Sequence, residues 1–324
     1  MQYIAQEPSE KQLKLDRERS LMAQVARLHY IEGHSRTEIA DELAISRFRV
    51  ARLLTRAQET GLVSISINDS GVLDDALSKH LGDVTGLDEC VVVRSGGSAL
   101  EVRDQVGAAA AKFLGNTLRR GDVLGISWGR TLTTTAEHMS GLPRISVVQL
   151  AGSLSGDLSS SSVELVRRVS DISGGDVFPI FSPLIVTQAA TAQAIRSQPD
   201  IAGTINLWPS VSTALLAIGG WKTNESQLID FLTDAEVRTM KKQGAVADIA
   251  GIIIDAQGEV VDAAFQERAI AISHSQLKKL PRKIVVAVGA AKSAATIAAI
   301  RGGLVSGLIV DSDLADALVA DPAF

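Results

Sequence analysis

HSRTEIADELAISRFRVARLLTRAQETGLVSISI, residues 34–67, holds the signals of two helices and a strand in close succession. Ser35 and Glu38 have the spacing of an S-x-x-E capping box, which predicts that a helix begins there. Ser46 is a second strong N-cap residue and predicts a second helix after a very short turn. Residues 63–67 then alternate apolar and polar side chains, as a half-exposed strand does. Helix, turn, helix and strand in this order predict a winged helix-turn-helix.

The second predicted helix, which Gly61 would end, has an apolar side and a basic side. Its helical period places four apolar residues on the inner face, namely Val50, Leu53, Leu54 and Ala57. Arginines occupy the other faces, and no acidic residue stands between Ser46 and Gln58. A basic helix is often only a solvated surface, but here the two caps, the short turn and the wing occur in register.

Arginine suits DNA recognition because its planar fork can bond a guanine edge in two places and its charge neutralises phosphates. A helix N-terminus can also bind a phosphate through its unpaired N–H groups. We therefore predict that double-stranded DNA contacts the helix starts and the outer face of the second helix, with Arg56 as a backbone contact. The predicted DNA-binding residues are Ser35, Ser46, Arg47, Phe48, Arg49, Arg52 and Arg56.

The distribution of charge fits a local DNA-binding helix better than a generally basic protein. The chain has 324 residues, 46% hydrophobic content and a formal net charge of −5. Residues 1–67 hold ten Lys and Arg against nine Asp and Glu, which leaves 22 against 28 for the remainder. An acidic remainder argues against an architectural protein that coats DNA without sequence preference.

Composition also excludes several other classes. Cys90 is the one cysteine, so an intrachain disulfide and a cysteine-rich metal site are excluded, and its apolar neighbours predict a buried strand residue. We expect no metal and no cofactor. Residues 1–20 are too polar for a signal peptide, and the most apolar long stretch, 284–300, is interrupted by Lys292 and by glycine and serine. We expect no membrane contact and a cytoplasmic location.

The chain divides into three predicted segments. Residues 1–15 form a polar tail, residues 16–68 the winged helix-turn-helix domain, and residues 69–324 a second domain, with a turn-rich break at 68–71 as the boundary. A further helix over 16–32 is predicted to close the small core of the first domain. Its inward face would carry Leu21, Val25, Leu28 and Ile31.

From residue 69 onward, short apolar runs alternate with helical segments. Such runs are apolar on both faces, which is typical of parallel strands buried between two layers of helices. The second domain is therefore predicted to be a doubly wound, mostly parallel α/β domain, in which ligands bind beyond the carboxyl ends of the strands. The strand candidates are 90–94, 123–127, 145–150, 214–218, 251–255, 284–288 and 308–311.

Four polar or glycine-containing turns next to these strands are candidates for a ligand site, namely 125–131, 149–157, 244–248 and 288–293. Gly129 would let the backbone approach a ligand, and Arg130 and Thr131 could hold an anion or a sugar hydroxyl. Lys292 stands in the first turn of a predicted helix, where a cation opposes the helix dipole unless an anion is bound. Each turn alone is more often a tight connection, but together they are predicted to line one edge of one sheet.

These stretches resemble the sugar-binding transcriptional regulators of the SorC/DeoR type. The resemblance is carried by residues 35–67 and by GISWGRTL, VVQLAGS, GAVADIAGIIIDAQGEVV and VAVGAAKSAATIAAIRGGLVSGLIVD, in the right order over both domains. It implies a sequence-specific regulator of a carbohydrate or polyol operon, with an effector domain related to sugar-phosphate isomerases. It also implies a homotetramer, a dimer of dimers, on palindromic operator DNA, which is released or rearranged when a sugar binds.

The resemblance also implies which residues bind the effector. By this resemblance, Lys292 would contact a phosphate or another anionic oxygen of the effector, and Asp248 would accept hydrogen bonds from sugar hydroxyls. Ala151 stands where some relatives carry a basic residue, so a sugar, a polyol and a sugar phosphate all stay open as effectors. The residues carried over are Gly129, Arg130, Thr131, Gly152, Ser153, Asp248 and Lys292.

The alternative is a sugar-phosphate isomerase-like or deaminase-like enzyme with an accessory DNA-binding domain. That chemistry needs a general base over the sugar carbon. None of the five histidines lies in the four turns, and Asp248 is the one carboxylate placed there firmly, with Asp157 as a weaker addition. The sequence therefore predicts a regulator without catalytic residues.

Overall fold

A computed structural model describes residues 10–63, 72–94, 96–154, 162–223, 225–322 and 324. The chain divides into two compact units, Met1–Ile67 and Asn68–Phe324. The predicted wing residues 64–67, the predicted boundary at 68, and Asp157 lie outside the described residues. Among those described, no helix combines the length and the apolar composition needed to cross a membrane.

The described residues of the N-terminal unit, 10–63, form three helices: α1 (Glu10–Tyr30), α2 (Arg36–Glu42) and α3 (Arg47–Glu59). Helix α1 begins before the predicted residue 16, so residues 10–15 of the predicted polar tail are helical. Ile31 was predicted to face inward, but it follows the end of α1 and is 79% exposed. The apolar sides of the three helices pack into one small core that includes Val25, Leu28, Ile39, Val50, Leu53, Leu54 and Ala57.

The turn between α2 and α3 is as short as predicted. The capping box is present, because Ser35 Oγ accepts from the Glu38 N–H at 3.3 Å and the Ser35 N–H donates to the Glu38 carboxylate at 2.7 Å. Ser46 Oγ caps α3 by accepting from the Arg49 N–H at 3.2 Å. Ala44 has a φ of 52°, a backbone conformation that residues with a side chain rarely adopt. This conformation lets the chain reverse direction within the short turn between α2 and α3.

The second unit is built on an eight-stranded sheet. Its strands are β1 (Val72–Leu73), β2 (Glu89–Arg94), β3 (Val123–Ile126), β4 (Ser146–Gln149), β5 (Val177–Phe178), β6 (Thr213–Leu216), β10 (Lys283–Ala287) and β11 (Gly307–Asp311). They lie in the order β1-β2-β11-β10-β6-β3-β4-β5. All of the described pairings are parallel except that of β1 with β2. The predicted doubly wound α/β fold is therefore confirmed.

Helices pack against the sheet on both faces, and the two largest apolar clusters of the unit lie between these layers. Cys90 is a half-buried residue of β2, and its burial raises the pKa of the thiol. The helices are α4 (Asp75–Thr85), α5 (Ala99–Thr117), α6 (Arg130–His138), α7 (Ser162–Ser173), α8 (Ala189–Arg196), α9 (Pro199–Leu207), α10 (Asp234–Lys242), α11 (Ala263–Arg268), α12 (His274–Lys279), α13 (Ser293–Arg301) and α14 (Ser312–Val319).

A second, antiparallel sheet consists of β7 (Ile218–Gly220), β8 (Ala247–Ile249) and β9 (Ile252–Ile254). The predicted strand 251–255 is β9, so its expected place among the parallel strands is wrong. Its residues are buried on both faces, which gives an antiparallel strand the apolar run of a parallel one. Ala250 and Gly251 have φ values of 49° and 84°, as the central residues of a type I′ hairpin turn require.

This second sheet also changes the predicted ligand edge. The connections after β3 and β10 leave the main sheet as expected, but Asp248 lies within β8 and not in a strand-to-helix turn. The four candidate turns therefore do not line one edge of one sheet. β7 follows β6 after a single residue, and its pairing with β8 places Gly219 directly opposite Asp248.

Candidate functional sites

The outer face of α3 presents the arginines selected from the sequence. Ser46, Arg47, Phe48, Arg49, Arg52 and Arg56 are all exposed, whereas the four residues of the predicted inner stripe are buried. Ser35 is exposed as well, at the start of α2. The structure thus brings a polar helix start and a row of cations to the surface of one helix.

Two of the arginines have protein partners. The Arg47 guanidinium lies 5.3 Å from the centre of the Phe48 ring, and that ring is 75% exposed. Arg56 Nη1 is 2.6 Å from Glu18 Oε1, an ion pair that links α3 to α1. The Arg47 and Phe48 side chains together form an exposed basic and aromatic surface at the N-terminus of α3. The ion pair with Glu18 engages part of the Arg56 guanidinium.

Five of the seven predicted effector residues line one pocket of the second unit: Gly129, Arg130, Thr131, Asp248 and Lys292. The pocket has an empty volume of about 560 Å³, which includes its opening to solvent. It lies where β3 passes into α6, where β6 passes into β7, and beside the loop that follows β10.

The floor of the pocket depends on two glycines. Gly129 has a φ of 151°, and a Cβ there would lie 2.5 Å from the Ala217 Cβ. A Cβ on Gly219 would overlap the Asp248 carboxylate and approach the Ser226 Cβ to 2.8 Å. Both positions therefore need glycine for the strands and loops to meet around the pocket.

Lys292 reaches the pocket from the loop after β10. Its Nζ donates to the carbonyl oxygen of Ile218 at 3.0 Å. Burial lowers the pKa of this ammonium group, Arg130 and Arg103 lower it further, and Glu225 and Asp248 act in the opposite direction. A cation held near two other cations gains most from a bound anion, because the anion offsets both the repulsion and the lost hydration.

Asp248 is the buried carboxylate of the site. Its Oδ1 accepts from Trp221 Nε1 at 2.9 Å and from Ser226 Oγ in a very short hydrogen bond. Burial raises the pKa of Asp248 above its usual 3.8, although both donors and the charge of Lys292 favour the carboxylate. Both of these donors reach Oδ1, and neither reaches Oδ2.

Asp248→Asn should isolate the cost of this buried charge, since asparagine keeps an acceptor for both donors. The folded protein holds the Asp248 proton more tightly than the unfolded chain does. Wild-type stability relative to the variant should therefore fall as the pH rises from 3.8 to the raised folded pKa, by up to about 1.4 kcal/mol per pH unit, and then stay level. Urea unfolding between about pH 4 and pH 8 measures the difference.

Asp230→Asn removes an exposed carboxylate and serves as the matched control. A constant difference between wild type and Asp248→Asn over the whole pH range would show that Asp248 does not hold its proton in the folded state.

Three charged or polar side chains complete the pocket and were missed from the sequence: Arg103 from α5, and Glu225 and Gln227 from the segment after β7. Glu225 Oε2 lies 3.6 Å from Arg130 Nη2. Arg103 lies in the second turn of a long helix, and the segment after β7 has no regular pattern. The Gly219-Gly220 pair at the end of an apolar strand was the one signal of a close approach there.

Gly152 and Ser153 are not among the lining residues of this pocket. The Gly152 N–H donates to the carbonyl of Ile270 at 2.7 Å, and the Ser153 N–H donates to that of Ser182 at 2.9 Å. Ser153 lines a different cavity, which also contains Arg268 and Glu236. These two amides form backbone hydrogen bonds in the connection after β4. Gly152 and Ser153 therefore do not line the same pocket as the other five predicted effector residues.

The pocket combines hydrogen-bonding groups with an excess of positive charge. Three cationic side chains and two carboxylates line it, and the first turn of α6 begins at its wall. Such a set can hold a small polar ligand with hydroxyl groups and an anionic group. No group of three or more metal-binding side chains occurs in the part of the chain that the structure describes.

Comparisons with known proteins find a family model that matches the second unit and relatives that match nearly the whole chain. Residues 72–320 match the Sugar-bind family model of a sugar-binding domain. The chain is 31% identical to an uncharacterized transcriptional regulator, YjhU, of Escherichia coli K12, over 90% of this chain and 92% of that protein. It is also 31% identical to the deoxyribonucleoside regulator of Bacillus subtilis, over 95% of this chain and all of that protein.

A solved structure shows the same fold. The full-length sorbitol operon regulator SorC of Klebsiella pneumoniae superposes with a TM-score of 0.71 at 23% identity, over 94% of this chain and 99% of that one. The likeness extends over both units of the chain.

Proposed function

Because the chain belongs to the SorC/DeoR-type family of transcriptional regulators with a sugar-binding domain, we propose that it binds operator DNA through α3 and that a small effector in the pocket controls this binding. The observation that carries the proposal is the meeting of Arg130, Thr131, Asp248 and Lys292 in one pocket. The regulated genes would serve the use of a carbohydrate or polyol. For such a role we propose a cytoplasmic location.

For the DNA, we propose that Arg47, Arg49 and Arg52 contact bases and phosphates from the exposed side of α3. Ser35 and Ser46, at the starts of α2 and α3, would lie near the sugar-phosphate backbone of the DNA. The exposed Phe48 ring fits against a thymine methyl group. Arg56, already paired with Glu18, would contact a phosphate.

Arg49→Ala should cost about 1–3 kcal/mol of binding free energy on the cognate operator if Arg49 reads a base, with a smaller loss on random DNA. Fluorescence anisotropy at fixed salt, with an operator selected from a random library, measures both affinities. Arg27→Ala removes an exposed arginine from α1 and is the matched control. An equal loss on both DNAs would assign Arg49 to the phosphate backbone instead.

For the effector, we propose a sugar, a polyol or a sugar phosphate. Asp248 suits hydroxyl groups because Trp221 and Ser226 both donate to Oδ1, so Oδ2 is the oxygen that would accept from a ligand hydroxyl. Lys292, Arg130 and Arg103 give the pocket an excess of positive charge, which favours an effector with a phosphate group.

A thermal-shift screen of the full chain against sugars, polyols and their phosphates tests this part. A ligand that binds the folded state alone raises the melting temperature by mass action. At least one compound in these classes should stabilise the protein and change its affinity for the operator. A broad panel without any hit would count against effector control.

We further propose that the active species is a homotetramer, a dimer of dimers, on a palindromic operator, and that the effector changes the spacing between paired DNA-reading helices. Sedimentation of the protein with operator fragments carrying one or two half-sites would measure the stoichiometry. Unchanged affinity and footprint at saturating effector would contradict the coupling.

The alternative function, an isomerase-like or deaminase-like enzyme, predicts turnover of a sugar phosphate. The relatives reported above carry regulator names. Incubation of the protein with candidate sugar phosphates, followed by NMR, distinguishes the two functions, since measurable conversion would favour the enzyme.

A further inference from the structure

Glu225 is an anionic side chain among the cations of the pocket. Its Oε2 lies 3.6 Å from Arg130 Nη2. Its charge also raises the pKa of Lys292 and of Arg103, against the burial that lowers both. One carboxylate thus acts on all three cations that line the pocket.

The contact between Glu225 and Arg130 is loose. The two side chains are 43% and 50% exposed, and their separation is longer than a hydrogen bond. By contrast, Arg282 holds Glu89 through two hydrogen bonds of 2.7 and 2.6 Å. Exposed ion pairs contribute little to stability, so a ligand can separate Glu225 from Arg130 at small cost.

Hydrogen bonds hold the Glu225 N–H and the described residues near it in sequence, whereas the Glu225 side chain has only the loose contact with Arg130. Trp221 and Ser226 both donate to Asp248. Thr223 Oγ1 donates to the carbonyl of Ala291 at 3.3 Å, and the Glu225 N–H donates to that of Gly220 at 2.9 Å. The Glu225 side chain can therefore turn away from Arg130 while its backbone keeps its place in the pocket wall.

We propose that Glu225 is an internal counter-anion, which neutralises the pocket cations in the ligand-free protein and is displaced by the anionic group of the effector. Glu225 then sets the charge preference of the pocket, because every anionic ligand has to compete with it. A neutral sugar or polyol would leave the contact with Arg130 in place. The inference rests on the proposed effector site.

Glu225→Gln removes the charge and keeps the size of the side chain, so it should tighten binding of inorganic phosphate about threefold to tenfold. Calorimetric titration of the full chain with phosphate, at pH 7 and low salt to limit screening, measures the affinity. Asp230→Asn removes an exposed carboxylate five residues later and is the matched control, with a change below about twofold expected. Glu225→Ala replaces the test variant if Glu225→Gln does not fold.

The possible results separate the inference from the proposed site. Tighter phosphate binding in the Glu225 variant alone supports the counter-anion. Phosphate binding that depends on Lys292 but is equal or weaker in the Glu225 variant would refute the counter-anion and leave the anion site standing. Absence of phosphate binding in every variant, or binding that is unaffected by Lys292→Met, would refute both the counter-anion and the anion site.

Discussion

Lys292→Met is expected to weaken binding of a phosphorylated effector by about 2–5 kcal/mol, because it removes one partner of a buried charge-assisted contact. The ammonium group lies in the pocket near two other cations, and burial lowers its pKa, so a bound anion would stabilise its charged form. Calorimetric titration with the effector from the thermal-shift screen measures the loss. Operator affinity without effector should change little, since Lys292 lies outside the N-terminal, DNA-reading unit, Met1–Ile67.

Lys279→Met is the matched control, as the same substitution on an exposed lysine of α12. It should leave effector affinity within about 0.5 kcal/mol of wild type, as surface substitutions usually do. Equal losses in both variants would show that general charge, and not a contact from Lys292, attracts the effector.

Leu53→Ala is expected to destabilise the DNA-reading unit strongly. Leu53 is 4% exposed on the inner face of α3, and such a truncation costs about 2–5 kcal/mol. A domain this small has a stability near the lower end of about 5–15 kcal/mol, so the loss removes much of it. Operator binding should fall steeply, and the melting transition of the effector unit should stay in place.

Ile31→Ala provides the control, because Ile31 belongs to the same unit and is 79% exposed. It should leave both DNA binding and the melting profile close to wild type. If Leu53→Ala shifted the effector transition by as much as the DNA-reading one, the two units would not unfold separately.

Local signals predicted the helices around the DNA-reading turn well. The Ser35 capping box, the Ser46 cap and the apolar stripe of α3 depend on residues close in sequence, and the structure has all three. The α/β class followed from apolar runs in the same way. The start of α1 at Glu10 was not predicted, because the polar residues before 16 were assigned to a tail, although Ser9 and Gln12 have the S-x-x-Q spacing of a capping box.

The ligand pocket was predicted only in part, because it is made by contacts between distant segments. Arg130 and Lys292 belong to connections that leave strands of the main sheet, as expected. Asp248 reached the pocket by another route, through a hairpin whose apolar strand looked parallel in the sequence. Arg103 and Glu225 had no local signal, since their role comes from packing across the fold.

The glycine floor of the pocket has a consequence for how inducer choice can change. Gly129 and Gly219 leave no room for a side chain, so mutations there disturb the scaffold before they alter recognition. Arg103, Glu225 and Gln227 reach the pocket from a helix and a connecting segment, where substitutions leave the floor intact. A biosensor library that varies these three positions and keeps both glycines should yield new inducer responses at little cost in folded protein.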